Sequence, residues 1–188
     1  MQNKKQKIAI FSVAALLVFS IISGLVLPYM QNQNMGTIDK AGDTEQTEKI
    51  EVPNFEFEDK EGNVVEFDSF KGKPVVINFW GTWCPYCVME MDDFNTVVGE
   101  YKDDVNFLFL DAGESENTTT EDVIGYLSEN GYNNIDTYFD NPGYGRYMFG
   151  INSFPATIYI DAEGYLYDAA LGMTNNDDIK SAIDGMLQ

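Results

Sequence analysis

The chain has 188 residues, 44% hydrophobic and 14% aromatic, a composition suited to one packed domain rather than a disordered chain. All 31 acidic residues and eight of the 11 basic ones follow Met35, so residues 36–188 carry a net charge of −23, which argues against nucleic acid and anionic lipid surfaces as partners. With no histidine and two cysteines, the chain lacks the ligands for a closed zinc site, the C-x-x-C-H of c-type haem and the base of histidine-dependent hydrolases.

Lys4, Lys5 and Lys7 precede an apolar run from Ile8 to Leu27, interrupted only by Ser12, Ser20, Ser23 and Gly24. A helix of that length spans about 30 Å, the thickness of a bilayer's hydrocarbon core. The run exceeds the 7–15 residues of a signal-peptide core, and no A-x-A pattern follows it. A retained transmembrane signal anchor over residues 8–30 is therefore favoured over a cleaved signal peptide or a buried helix. The basic flank keeps residues 1–7 in the cytoplasm and sends the rest outside, as a single-pass membrane protein. Residues 31–50, polar and without an apolar period, read as a flexible tether to a domain over residues 51–188.

Within that domain "FEFED" (55–59) and "VVEF" (64–67) flank "KEGN" as a hairpin, and residues 68–72 form a short turn. "PVVINFW" (74–80) and "VNFLFLD" (105–111) are continuous apolar runs, as expected of strands buried on both faces. Between them Cys87, Met91, Phe94, Val98 and Tyr101 recur at spacings that place one helical stripe on a sheet. A second helix opens on a Thr cap with Glu121 and Asp122 in its first turn and closes near Gly131. "DTYFD" is a short strand; Asn141 and Pro142 are the expected cap and first residue of another helix, ended by Gly150. "ATIYID" (156–161) and "YLYDAAL" (165–171) make an antiparallel hairpin, and a final helix buries Ile179, Ala182, Ile183, Met186 and Leu187. The order is a β-hairpin, a βαβ unit, an inserted α-β-α element and a ββα end, an α/β fold with helices flanking a central mixed sheet.

The two cysteines lie in "NFWGTWCPYCVMEM" (78–91), where a strand gives way to a helix. Cys84 sits at the helix start and Pro85 suits the first helical position. Unpaired N–H groups and the helix dipole there stabilise a thiolate, lowering its pKa below the free value of about 8.5 without a histidine base. Cys87, one turn on and facing the core, is the expected resolving thiol. A ring closed over so few residues constrains the unfolded chain little, so a purely structural disulfide explains the pair poorly. Glu90 falls about 300° round the helix from Cys87, beside the buried stripe. It is either a desolvated carboxylate that exchanges protons with the Cys87 thiol or a solvated acid favoured by the dipole. Phe154-Pro155 marks a strand start, and local sequence does not set its isomer.

"KGKPVVINFWGTWCPYCVME" resembles the redox signature of membrane-anchored thioredoxin-like proteins of the TlpA and ResA type, and "NSFPATIYIDAEG" is similar to their cis-proline loop and hairpin. The resemblance covers about residues 50–188 and implies a thioredoxin fold and a thiol-disulfide oxidoreductase without a cofactor. It implies Cys84 as attacking thiol, Cys87 as resolving thiol, Glu90 as the acidic residue near the site and Pro155 in cis opposite the pair. Trp83, Pro85, Tyr86, Phe154 and Pro155 are then the expected substrate-binding residues, with Phe154 presenting backbone. Implied partners are disulfide-containing proteins outside the cytoplasm and a membrane thiol that donates electrons; a monomer is expected. Asn78 stands where cytoplasmic thioredoxins carry a buried aspartate, and Pro85-Tyr86 is a glutaredoxin-like dipeptide. A disulfide-forming oxidase or isomerase, or a binding module without activity, are the alternatives on the same fold.

Overall fold

The computed structural model describes residues 49–113, 118–141 and 143–188. The expected cytoplasmic segment, the anchor over 8–30 and most of the tether lie outside the described residues. Among the described residues no helix is long and apolar enough to cross a membrane. Lys49 and Ile50, placed by the sequence reading in the tether, are tied to the domain. The Ile50 carbonyl accepts from Leu166 N at 2.8 Å, and Lys49 pairs with Asp161 at 3.3 Å.

Seven strands form one sheet: β1 (Glu56–Glu58), β2 (Val64–Glu66), β3 (Val75–Trp80), β4 (Asn106–Asp111), β5 (Thr137–Phe139), β6 (Ala156–Ile160) and β7 (Leu166–Leu171). Their spatial order is β2-β1-β5-β4-β3-β6-β7. β3, β4 and β5 run parallel, while β6 pairs antiparallel with β3 and β7 with β6, so the sheet is mixed as expected. Among the described residues four α-helices follow in chain order: α1 (Pro85–Tyr101), α2 (Thr120–Glu129), α3 (Tyr144–Phe149) and α4 (Asn176–Met186).

β3 is buried along its whole length, which is why its sequence is unbroken by the alternation of a half-exposed strand. Its residues divide by parity between two cores. Val76 and Trp80 meet Cys87, Met91 and Phe94 of α1 with Ile179 and Ile183 of α4. Val75, Ile77 and Phe79 meet Phe55, Phe57 and Phe67 from the N-terminal hairpin and turn. Asn78, between Val76 and Trp80, therefore points a polar side chain into the α1 side, where it is 1% exposed.

α2 has the expected Thr119 cap, with a reciprocal bond from Thr119 N to the Asp122 carboxylate. α3 differs from the sequence reading. It begins at Tyr144, preceded by Gly143 at φ 95°, a left-handed conformation that glycine adopts without a Cβ clash. Its N-terminal donors are met by the buried Asp140 carboxylate, which accepts from Gly145 N and Arg146 N, each at 2.9 Å. The cap thus comes from the end of β5 rather than from Asn141. Gly150 ends the helix as expected.

Candidate active site

Cys84 is the residue before α1, with extended backbone, and Pro85 opens the helix. Its Sγ accepts a hydrogen bond from Cys87 N at 3.2 Å, taking the place an oxygen holds in an ordinary N-cap. The first turn contains no acidic side chain to oppose a negative sulfur. Cys84 and Cys87 are joined in a disulfide, with Cα atoms 5.3 Å apart. Cys84 keeps 5% of its surface exposed and Cys87 none, so an incoming reagent meets Cys84 first. In the reduced protein, iodoacetamide is expected to label Cys84 faster than Cys87, at a rate that titrates below pH 8. Faster labelling of Cys87 would overturn the helix-start argument.

Exposed apolar side chains flank that sulfur along the chain: Trp83 precedes it, and Tyr86 and Met89 follow on the first turns of α1, at 39%, 62% and 63% exposure. Trp83 packs its ring edge-on against Phe154, with centroids 5.4 Å apart, which brings the loop before β6 to the cysteine pair. Gly81 makes room for that indole, since a Cβ there would lie 2.6 Å from Trp83 Nε1. The Phe154–Pro155 peptide bond is cis, and the Pro155 carbonyl accepts from Gly172 N at 2.9 Å. Trp83, Phe154 and Pro155 are thus gathered beside the pair, with Pro85 and Tyr86 exposed on the first turn of α1. Met89, one turn beyond Tyr86, is also exposed on α1.

Glu90 is not a solvated helix acid. It is 0% exposed, and each carboxylate oxygen has a donor: Asn78 Nδ2 reaches Oε1 at 2.9 Å, and Thr174 N reaches Oε2 at 2.9 Å. Burial pushes its pKa up to about 7, against the lowering effect of those two bonds, and Asp93 on the same helix adds to the rise. A carboxyl that changes charge near neutrality, one helical turn from Cys87, is suited to accept and return a proton. Asn78 Nδ2 also donates to Thr157 Oγ1 at 3.1 Å, joining β3, β6 and α1 through one amide. Neither Thr157 nor Thr174 stood out in the sequence, because each reaches the site from a distant part of the chain.

A mixed sheet with a disulfide-linked cysteine pair at a helix start, and a cis-proline loop whose Phe154 packs on Trp83 beside it, defines a thioredoxin-like thiol-disulfide oxidoreductase. The chain belongs to the AhpC/TSA family, whose model matches residues 49–168. Curated thiol-disulfide oxidoreductases ResA are similar to it. One from Bacillus cereus is 32% identical over 145 residues, covering 73% of this chain and 75% of the relative. That of Halalkalibacterium halodurans is 35% identical over 126 residues, covering 63% and 65%. Among solved structures, the exposed lipoprotein thioredoxin of Streptococcus pneumoniae strain TIGR4 superposes with a TM-score of 0.62 at 25% identity, covering 71% of this chain and 99% of that one. StoA of Bacillus subtilis, at 20% identity and a TM-score of 0.60 over 69% and 96%, shares the fold.

Proposed function

We propose that this oxidoreductase works outside the cytoplasm, tethered by its N-terminal apolar segment, and reduces disulfides of partner proteins. The Cys84 thiolate attacks one sulfur of the partner's disulfide and expels the other as a thiolate, leaving a mixed disulfide. Cys87, deprotonated with Glu90 as acceptor, then attacks Cys84 Sγ and releases the partner's second thiol. The partner gains two electrons and two protons, one of them released from Cys87 by way of Glu90 and the other from solvent, and the enzyme is left with the Cys84–Cys87 disulfide. A membrane thiol donor returns the pair to the reduced state.

The observation that carries the direction is the sparse stabilisation of Cys84. Its sulfur has one backbone donor, at 3.2 Å, and no histidine or basic residue occurs from Pro74 to Tyr101. A strong oxidant is one whose reduced, thiolate form is heavily stabilised, and a domain this acidic offers little of that. The reduction potential is expected below about −200 mV, on the thioredoxin side of the disulfide-forming oxidants. Equilibration with a thioredoxin standard measures it. A value near −120 mV would reverse the direction and make the protein an oxidase. Trapping with Cys87→Ala in cells identifies the partners as long-lived mixed disulfides on Cys84. Partners confined to the cytoplasm would sink the proposed location.

A further inference from the structure

Asn78 sits between two groups that each exchange or share a proton. Its Nδ2 donates to Glu90 Oε1 at 2.9 Å and to Thr157 Oγ1 at 3.1 Å. Its Oδ1 is buried and has no hydrogen-bond partner among the described residues. A buried amide usually uses both ends, so an unpartnered carbonyl there asks for an explanation. Among the described residues no hydrogen bond on that side fixes the amide in one orientation, and reversal exchanges one unpartnered end for the other. The hydrogen bonds that distinguish the two ends are those to Glu90 and Thr157.

Their demands change with one proton. An ionised Glu90 only accepts, and it requires Nδ2. A protonated Glu90 presents an O–H on Oε1, because Oε2 is already occupied by Thr174 N, and that O–H requires an acceptor. Reversal of the amide supplies one, with Oδ1 accepting from Glu90 and from the Thr157 hydroxyl, which can act as donor as readily as acceptor. We propose that Asn78 is a positioning residue whose amide reverses as Glu90 gains or loses its proton, holding the carboxyl in one place through both halves of the exchange cycle. A carboxyl at position 78 would serve less well, since it would be a second titrating group buried beside Glu90 and would compete with it for the same proton.

The surroundings leave this amide as the responsive element. Of the titratable groups around Glu90, Asp93 lies on the same helix, and Cys87 is held in the disulfide in the oxidised protein. Tyr159 of β6 is kept neutral by burial, with Asp168 and Asp178 reinforcing the effect. β3 and the loop that carries Thr174 contribute no titratable side chain. The bond to an ionised Glu90 is charge-assisted and therefore stronger than the bond to the neutral acid, so Asn78 also keeps Glu90 more acidic than burial alone would.

The inference rests on Glu90 changing charge near neutrality, and its test separates it from the catalytic role proposed for Glu90. In the full-length oxidised protein, the Glu90 carboxyl carbon and the Asn78 side-chain amide nitrogen are followed by NMR across pH 5–9. The amide signal is expected to move with the same midpoint as the carboxyl, and the NOE contacts of the Asn78 NH₂ protons with Thr157 are expected below that midpoint to give way to those of the reversed amide. In Asn78→Leu, Glu90 is expected to bind its proton about tenfold more tightly, the difference between a charge-assisted and an ordinary hydrogen bond. An amide signal that stays flat through the Glu90 midpoint overturns the proposal on the wild-type protein alone, whether or not the variant folds. So does a folded Asn78→Leu protein with an unmoved midpoint. If the amide tracks Glu90 while Glu90→Gln leaves the pH profile of thiol alkylation unchanged, the positioning role stands and the proton-acceptor role of Glu90 falls.

Discussion

Cys84→Ser is expected to reduce disulfide exchange by at least about a thousandfold while leaving the fold intact. Serine is a favoured N-cap residue, so its hydroxyl can accept the Cys87 N–H bond that the sulfur accepts now. The loss is then chemical: a hydroxyl is neither ionised near neutrality nor able to form the mixed disulfide. Cys87→Ala acts on the second step. It removes a fully buried sulfur one turn into α1 and leaves Cys84 competent for attack, so mixed disulfides accumulate in place of turnover. Insulin reduction reads the first variant, and non-reducing gels with a disulfide-bearing partner read the second. Retention of exchange by Cys84→Ser, or rapid turnover by Cys87→Ala, would exclude the assigned order of attack.

Which parts of this site were legible in the sequence follows from how far apart their determinants lie. β3 and β4 announced themselves because a strand covered on both faces must be apolar throughout. α1 did so because one face of it packs on that sheet: Cys87, Met91, Phe94 and Val98 are all buried. Cys84 at the helix start is likewise a local property, set by a Pro one residue later. The start of α3 departs from what the sequence suggests because Asn-Pro mimics a cap, whereas the carboxylate that serves the helix belongs to Asp140, just after β5. Glu90 shows the limit most clearly. Its position beside the buried stripe was visible, but its two donors are 12 and 84 residues away, and no local pattern pairs them. Asn78 was visible as a polar residue inside an apolar strand; only the fold shows that Glu90 and Thr157 are what it faces.

The second large expectation is a pH dependence of stability that a single carboxyl controls. Glu90 is held at about 7 in the folded protein, chiefly by burial, against an ordinary value of 4.5. The folded state therefore binds this proton more tightly than the unfolded chain does. Between those two pH values folding takes up a proton, so stability falls as pH rises through the window and levels off above about pH 7. Each pH unit of the window is worth about 1.4 kcal/mol, so the loss assigned to Glu90 approaches roughly 3 kcal/mol. Asp111, raised to about 6 by burial from 3.8, adds a decline of the same sign at lower pH. Glu90→Gln removes only the first of these. The glutamine oxygen can accept from Thr174 N, and its NH₂ can donate to a reversed Asn78 amide, so the variant keeps its contacts without the charge. Urea unfolding of the oxidised proteins from pH 4 to 9 measures the difference, with the disulfide preventing thiol titration. The wild-type curve is expected to fall relative to the variant by about 3 kcal/mol between pH 4.5 and 7 and to run parallel above that. Curves that stay parallel throughout would mean that Glu90 is ionised at the same pH folded and unfolded, and would leave it a weak base rather than one matched to a proton exchange with Cys87 near neutrality.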